Sequence, residues 1–342
     1  MTPLTPGRLA RSTAWLLALL VLALGAGVLL GPALSPAEAW DALRLASPDA
    51  AALDILWRVR LPRVGLAALV GASLAVAGAL FQALLRNPLA DPFILGVSGG
   101  AALGGVALLV LGPALGLGAG AVPPASFAGA GLALLALLAI AGPQGRLSPA
   151  ALLLTGVVLN AFASAAIVFC ASFSGLVEGG RIFLWLIGSI TEVRADVAIW
   201  VAAFLALGLA CALPLARALN LLALGEESAA ALGIETRRIK LLLLVSTSLM
   251  VGASVAVAGL VGFVGLIVPH LLRLLLGPDH RQLLPAAALG GAAFLVICDT
   301  AVRTLPAGRE LPVGALTALA GGPFFLWLLR RSARRNWSAL PW

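Results

Sequence analysis

The sequence predicts an all-α, polytopic membrane protein of about ten spans, and three observations carry that expectation. Hydrophobic residues fill 61% of the 342 positions, charged residues only 11%, and the mean hydropathy is +1.09. Soluble domains carry about 25% charged residues. A fold of this size could not cover itself in water with so few, so lipid must be its main solvent. Apolar runs of span length also follow one another along almost the whole chain. That favours a single transmembrane domain, 1–342, over the two soluble domains that the length would otherwise allow.

A helix needs about 20 apolar residues to cross the hydrocarbon. Stretches of that kind lie at 13–32, 64–85, 93–112, 121–141, 149–172, 195–216, 240–259, 261–276, 283–302 and 313–330. The weakest division is near Gly259–Gly262, where two spans nearly merge. An even number of spans places both termini on one side. With that side cytoplasmic, 14 of the 22 basic residues fall inside, among them Arg8, Arg11, Arg86, Arg146, Arg334 and Arg335. Only five of the 14 acidic residues join them, leaving +9 inside and −1 outside. The positive-inside rule agrees with this orientation. The net charge of +8 is therefore explained by topology and does not call for nucleic acid. A competing reading is a cleaved signal, with Arg8 and Arg11 ahead of an apolar run and Ala37-Glu38-Ala39 as the cleavage site. Signal cores are about 7–15 residues. The run Ala14–Leu30 is longer, so a retained first span is expected.

Val70-Gly71-Ala72-Ser73-Leu74-Ala75-Val76-Ala77-Gly78 returns as Val251-Gly252-Ala253-Ser254-Val255-Ala256-Val257-Ala258-Gly259, changed at the fifth position alone. The first copy lies in span two, running inward, and the second in span seven, running outward. Spans 2–5 and 7–10 would then be an inverted repeat, an architecture many transporters use. Chance likeness between Ala/Gly-rich helices is the alternative. Gly71, Ala75, Gly78, Gly100 and Gly104 suit close helix packing.

Enzyme chemistry has no visible home. A P-loop needs Gly-Lys-Ser/Thr, because its lysine reaches the terminal phosphates. Lys240 is the sole lysine and follows Ile239. HExxH and clustered Cys/His sets are missing from the sequence, so no metal ligands are assigned. His270 and His280 read as structural or solvated, and Cys170, Cys211 and Cys298 as reduced thiols in apolar runs.

Two further patterns stand out. The longest cytoplasmic connection, 217–239, holds Gly225-Glu226-Glu227-Ser228-Ala229-Ala230-Ala231-Leu232-Gly233. Carboxylates suit the start of a short helix, and Gly233 can end it. Such a helix outside the membrane could dock a partner or simply connect two spans. Span five carries Gly156, Asn160 and Ser164 at four-residue spacing, hence on one face. That face meets either a water-filled route or another helix.

Several segments, in order, resemble the FecCD-like ABC permeases that import iron-siderophores, haem and cobalamin. They are Arg60-Leu61-Pro62-Arg63, Gly78 to Gln82, and Arg86-Asn87-Pro88-Leu89-Ala90-Asp91-Pro92 with Leu95-Gly96-Val97-Ser98. Next come the Gly-Glu-Glu…Leu-Gly connector, Gly262 to His270, and Glu310-Leu311-Pro312-Val313-Gly314. The resemblance spans about residues 55–330. It implies a homodimer in the bacterial inner membrane, with two cytoplasmic ATPase subunits and an extracytoplasmic substrate-binding protein. ATP and magnesium would sit on the ATPases, and this chain would hold no cofactor. The roles it implies follow. Arg60, Arg63 and Arg303, with Arg58 as an added candidate, would accept acidic residues of the binding protein. Asn87, Leu89, Leu147 and Ser148 would form the cytoplasmic gate, and Gly156, Asn160 and Ser164 would line the pathway. Gly225, Glu226, Glu227, Ser228, Ala231, Leu232 and Gly233 would couple to the ATPase. The expected cargo is an iron-siderophore or haem, with cobalamin as the alternative. A secondary transporter driven by an ion gradient is the rival class; it needs intramembrane carboxylates or histidines, and Asp299 is the nearest candidate.

Overall fold

The computed structural model describes residues 6–45, 49–142, 147–173, 176–190, 195–305 and 311–333. Arg146, Arg194, Arg309, Glu310, Arg334 and Arg335, which entered the charge count or the motifs, lie outside them. The described residues are helical throughout, without strands. In chain order the helices are α1 (Pro6–Leu29), α2 (Pro36–Leu43), α3 (Ala50–Asp54), α4 (Leu61–Leu84), α5 (Val97–Leu111), α6 (Val122–Ala141), α7 (Pro149–Ser172) and α8 (Leu176–Ile187). Then follow α9 (Ala195–Ala212), α10 (Ala216–Ala223), α11 (Glu226–Ala231), α12 (Thr236–Ala258), α13 (Val264–Leu276), α14 (His280–Thr304) and α15 (Val313–Ala333).

Each of the ten apolar stretches contains a helix, but the helices differ in reach. The stretches Leu9–Leu29, Ala50–Leu84, Ala119–Ala141, Pro149–Ser172, Thr236–Ala258 and His280–Thr304 are long and apolar enough to cross a membrane. Helices α9 and α10 qualify only as a pair bent by 65°. Helices α5 and α13 have 15 and 13 residues. At about 1.5 Å per residue they reach roughly 20–22 Å, short of the ~30 Å hydrocarbon core. Span three was expected to begin at 93. Its first residues instead make a tight turn, Pro92–Leu95, before Gly96 takes φ 86° and α5 starts. The weakly marked division near Gly259 is equally sharp. Helix α12 ends at Ala258, Gly259 and Phe263 take φ 65° and 67°, and α13 starts at Val264.

Sequence periodicity missed α2, α3 and α8, which are too short to read as spans. The Ala37-Glu38-Ala39 run is the first turn of α2, closed by a reciprocal Ser35–Glu38 capping box, and Ala39 is fully buried. That segment is packed structure.

Contacts run in matched pairs. Helix α4 packs on α14 and α13, as α12 packs on α6 and α5; α5 packs on α6 as α13 does on α14. The first glycines of the nine-residue match sit at equivalent contacts. A Cβ on Gly71 would overlap the Gly291 carbonyl of α14, and one on Gly252 would press on Ala130 of α6. Gly78 lies against the Gly265 carbonyl of α13 just as closely. Helix α4 is the buried centre of the bundle, with Leu66, Leu74, Leu80 and Phe81 at 1% exposure or less.

Gly78→Ala must therefore drive α4 away from α13. We expect it to cost about 1–3 kcal/mol and to lower the thermal midpoint in detergent. Gly65→Ala, in the same helix but with open space at its Cβ, should leave the midpoint unchanged.

Candidate functional site

At the C-terminal end of α1 the last carbonyls have no helical partner. Arg60 supplies one. Its guanidinium donates to the carbonyl oxygens of Val28 (3.1 Å), Leu29 (3.2 Å), Gly31 (2.9 Å), Pro32 (2.7 Å) and Leu34 (2.9 Å). Beside it Arg63 donates Nε to Asp299 Oδ1 at 3.1 Å, and Arg303 donates Nε to Asp299 Oδ2 at 2.9 Å. Arg303 also reaches the Gly27 carbonyl at 3.2 Å. One carboxylate and the negative end of α1 together offset three arginines. The cluster clamps α1, α4 and α14 to one another.

This placement corrects the docking assignment. Arg60, Arg63 and Arg303 are 3%, 7% and 5% exposed, with their donors directed into the chain. In this conformation a partner's carboxylate cannot reach them. They brace the platform of α2, α3 and the turn Ile55–Arg60, where Arg44 and Arg58 stand exposed. Arg58 pairs there with Asp54 at 3.1 Å, and Arg44 lies over the Trp40 ring.

The opposite end carries the two expected gate turns. Asn87 Oδ1 accepts from the Leu89 N–H at 3.0 Å, which holds Leu89 half-exposed in a tight turn after α4. Ser148 caps α7, its hydroxyl accepting from the Ala151 N–H at 3.1 Å. Leu147 departs from expectation, for its side chain is buried at 4% and only its carbonyl faces the neighbouring connection.

Helix α11 stands beside these turns. Gly225 opens it with φ 129°, and Gly233 closes it with φ 80°. The Gly233 N–H donates to the Ala230 carbonyl (2.9 Å) and the Ile234 N–H to that of Ala229 (3.1 Å), a complete Schellman close. Ala229 is buried, while Glu227, Ser228, Ala231 and Gly233 are exposed. Leu224 and Leu232 flank the helix at 71% and 65% exposure. Exposed leucines on a polar connection suit a partner surface. Glu226 turns back toward the bundle and pairs with Lys240, whose Nζ also donates to the Leu147 carbonyl at 2.9 Å.

On α7 the three spaced residues separate. Gly156 is buried against Ile94 and Leu95, and Asn160 Nδ2 donates to the Phe93 carbonyl at 2.7 Å. Both hold the turn before α5, so contact with neighbouring protein accounts for them. Ser164 is exposed, on a helix that also exposes Val157, Val158, Phe162 and Val168.

Sequence reasoning passed over two organising residues. Gln82 Nε2 donates to the Gly265 carbonyl at 3.2 Å, while its Oε1 accepts from Arg273 at 2.8 Å, tying α4 to α13. Lone polar residues at the ends of apolar runs, Gln82 and Lys240, were the available signal. Near them Asn220 Oδ1 accepts from the His280 N–H at 2.9 Å and meets its ring Nδ1 at 2.7 Å. Its Nδ2 donates to Asp279, whose carboxyl is held down at about 2, chiefly by hydrogen bonding to Arg281.

A lipid-adapted helical bundle, packed in matched halves, defines a multi-pass membrane protein. The chain belongs to the FecCD transport family, whose profile matches residues 16–331. It is 42% identical over 330 residues to the hemin transport system permease protein HmuU of Yersinia pestis, covering 94% of this chain and 95% of that protein. It is 44% identical over 307 residues to the cobalamin import system permease protein BtuC of Halobacterium salinarum, covering 87% and 81%. Its fold matches a solved structure described as an inward-facing conformation of a metal-chelate type ABC transporter. The TM-score is 0.83 and the identity 30%, over 94% of this chain and 99% of that one. The chain is thus a permease component of an ABC transporter family.

Asp299→Asn leaves Arg63 and Arg303 buried without their shared carboxylate. A loss of about 3–5 kcal/mol is expected, read as a lower thermal midpoint in detergent. Asp54→Asn, at the exposed Arg58 pair, should change the midpoint little.

Proposed function

We propose that this chain is the membrane-spanning subunit of an ATP-driven importer that passes a bulky metal chelate, an iron-siderophore or haem, into the cytoplasm. A binding protein delivers the chelate at the outer face, and two ATPase subunits engage α11 of each protomer in a homodimer. Ten spans per subunit, an inverted repeat relating spans 2–5 to 7–10, cytoplasmic termini and an inner-membrane location complete the reading. The observation that carries it is the family match over residues 16–331 together with exposed Leu224 and Leu232 flanking α11.

Two short helices at corresponding places in the two halves, α5 and α13, support a pathway between those halves. On the gate, Leu89 supplies the apolar seal between protomers, and Ser148 fixes the start of α7 beside it. Binding-protein contact falls to the exposed arginines of the outer platform, Arg44 and Arg58, which steer and orient the partner. Ser164 and the exposed face of α7 line the route. Cobalamin is a second cargo reading, favoured by the 44% identity to a cobalamin import permease. A secondary transporter would need an intramembrane group free to exchange protons or ions. Asp299 is instead clamped between two arginines at 1% exposure.

Reconstitution in vesicles with the cognate ATPase and binding protein tests this reading. Uptake of haem, an iron-siderophore and cobalamin should be measured separately, and at least one should accumulate only with ATP. An ATPase subunit unable to hydrolyse ATP should abolish it. Accumulation driven by a proton or sodium gradient without the ATPase would overturn the proposal. Leu232→Asp should weaken ATPase association tenfold or more without changing the thermal midpoint, measured by binding to the immobilised subunit.

A further inference from the structure

We propose that Glu226 is a positioning residue that links the ATPase-facing helix to both gate turns through a single carboxylate oxygen. Two cations meet at Glu226 Oε1, and one of them reaches on to a third segment of the chain. Lys240 Nζ, from the first turns of α12, pairs with it. Arg86 Nη2, from the turn after α4, lies 3.8 Å from the same oxygen. Lys240 in turn donates to the carbonyl of Leu147, immediately before α7, at 2.9 Å. The carboxylate belongs to the opening turn of α11, where Glu227, Ser228, Ala230 and Ala231 are exposed and Ala229 is buried.

The chemistry makes this a stiff link on one arm and an adjustable one on the other. Lys240 is 4% exposed, and a buried ammonium needs its partners. Its carboxylate and its carbonyl satisfy two of its three donors and hold α11 at a set distance from Leu147. Arg86 is different. Its pair with Glu226 is long and both side chains are about one-third or more exposed (40% and 34%), so this contact can lengthen or tighten at low cost. Arg86 also takes φ 49°, so the chain reverses sharply there, directly before Asn87 and Leu89. A displacement of α11 therefore reaches the 147–148 turn through Lys240 and the 87–89 turn through Arg86. The two turns move together because one oxygen serves both. Neither Glu226 nor Lys240 needs to touch the cargo or ATP.

This inference rests on the importer reading, and the experiment separates the two. The complex of permease, ATPase and binding protein is reconstituted in vesicles, and cargo moved per ATP hydrolysed is measured for the wild type, Glu226→Gln, Lys240→Met, Lys240→Arg and the Glu226→Gln/Lys240→Met double variant. Glu226→Gln keeps the shape of the side chain and removes its charge. We expect its cargo-per-ATP ratio to fall at least tenfold. Lys240→Met should do the same, the double variant should be no worse than the poorer single one, and Lys240→Arg should restore most of the ratio. Spin labels at positions 89 and 148 should shift together on ATP addition in the wild type and independently in Glu226→Gln. An unchanged ratio in Glu226→Gln would overturn the link, as would transport and hydrolysis falling in proportion, or loss of ATPase binding. If Lys240→Met does not fold, Glu226→Gln and the label distances decide alone. A wild-type complex showing no ATP-dependent uptake would instead sink the importer reading itself.

Discussion

Backbone-to-backbone contact along α4 is the constraint on which the rest of this structure depends. In lipid a leucine gains little by exchanging a hydrocarbon tail for another helix, so helices associate through close packing and hydrogen bonds. Gly71 and Gly78 allow that closeness against Gly291 and Gly265. A central helix held this tightly has one register. Its two ends are then fixed, by Arg63 near its first turn and by Gln82 with the Asn87 turn near its last. Helix α13 takes its place from the same contact, since it begins where Gly265 meets Gly78.

Charge is distributed by the same logic, with different consequences at the two ends. Where α1, α4 and α14 meet, Arg60 is saturated by five carbonyls and Asp299 by two guanidiniums, all nearly inaccessible to water. Such a cluster has one good arrangement and serves as a fixed brace. At the opposite end, Glu226 is one-third exposed and shared between Arg86 and Lys240. Water can replace part of its contact with the exposed Arg86, while the buried Lys240 keeps its partners, so the cluster is adjustable on one arm and stiff on the other. The proposed importer reading would assign the rigid end to cargo delivery and the adjustable one to the ATPase.

Much of the architecture was legible because lipid imposes strong rules on composition. Ten apolar stretches were readable, and each contains a helix, since a spanning segment must satisfy its own backbone. The nine-residue match was readable because equivalent helix contacts demand small residues at equivalent positions, as Gly71 and Gly252 show. Gly233 was readable as a stop because a left-handed residue there closes α11. The arginines were misread in one respect. An Arg-Leu-Pro-Arg run at a span end says nothing of which carbonyls lie within reach of its guanidiniums. Leu147 likewise looked like a gate side chain, but its carbonyl carries the contact. The short helices α2, α3 and α8 lacked any span-length signal.

The amino-acid sequence alone determined that this protein lives in a membrane and that its one lysine stands in no Gly-Lys-Ser/Thr loop, and its nine-residue match pointed to related halves. Those properties follow from composition and local pattern, which need no knowledge of neighbours in space. Only the tertiary structure decided that Arg60, Arg63 and Arg303 are buried braces and that Asp299 is a fixed counter-ion. It alone also brought Glu226, Lys240, Arg86 and Leu147 together. Burial and ion pairing depend on distances between residues far apart in the chain, from 14 positions for Glu226 and Lys240 to 236 for Arg63 and Asp299, and those distances exist only once the helices have packed.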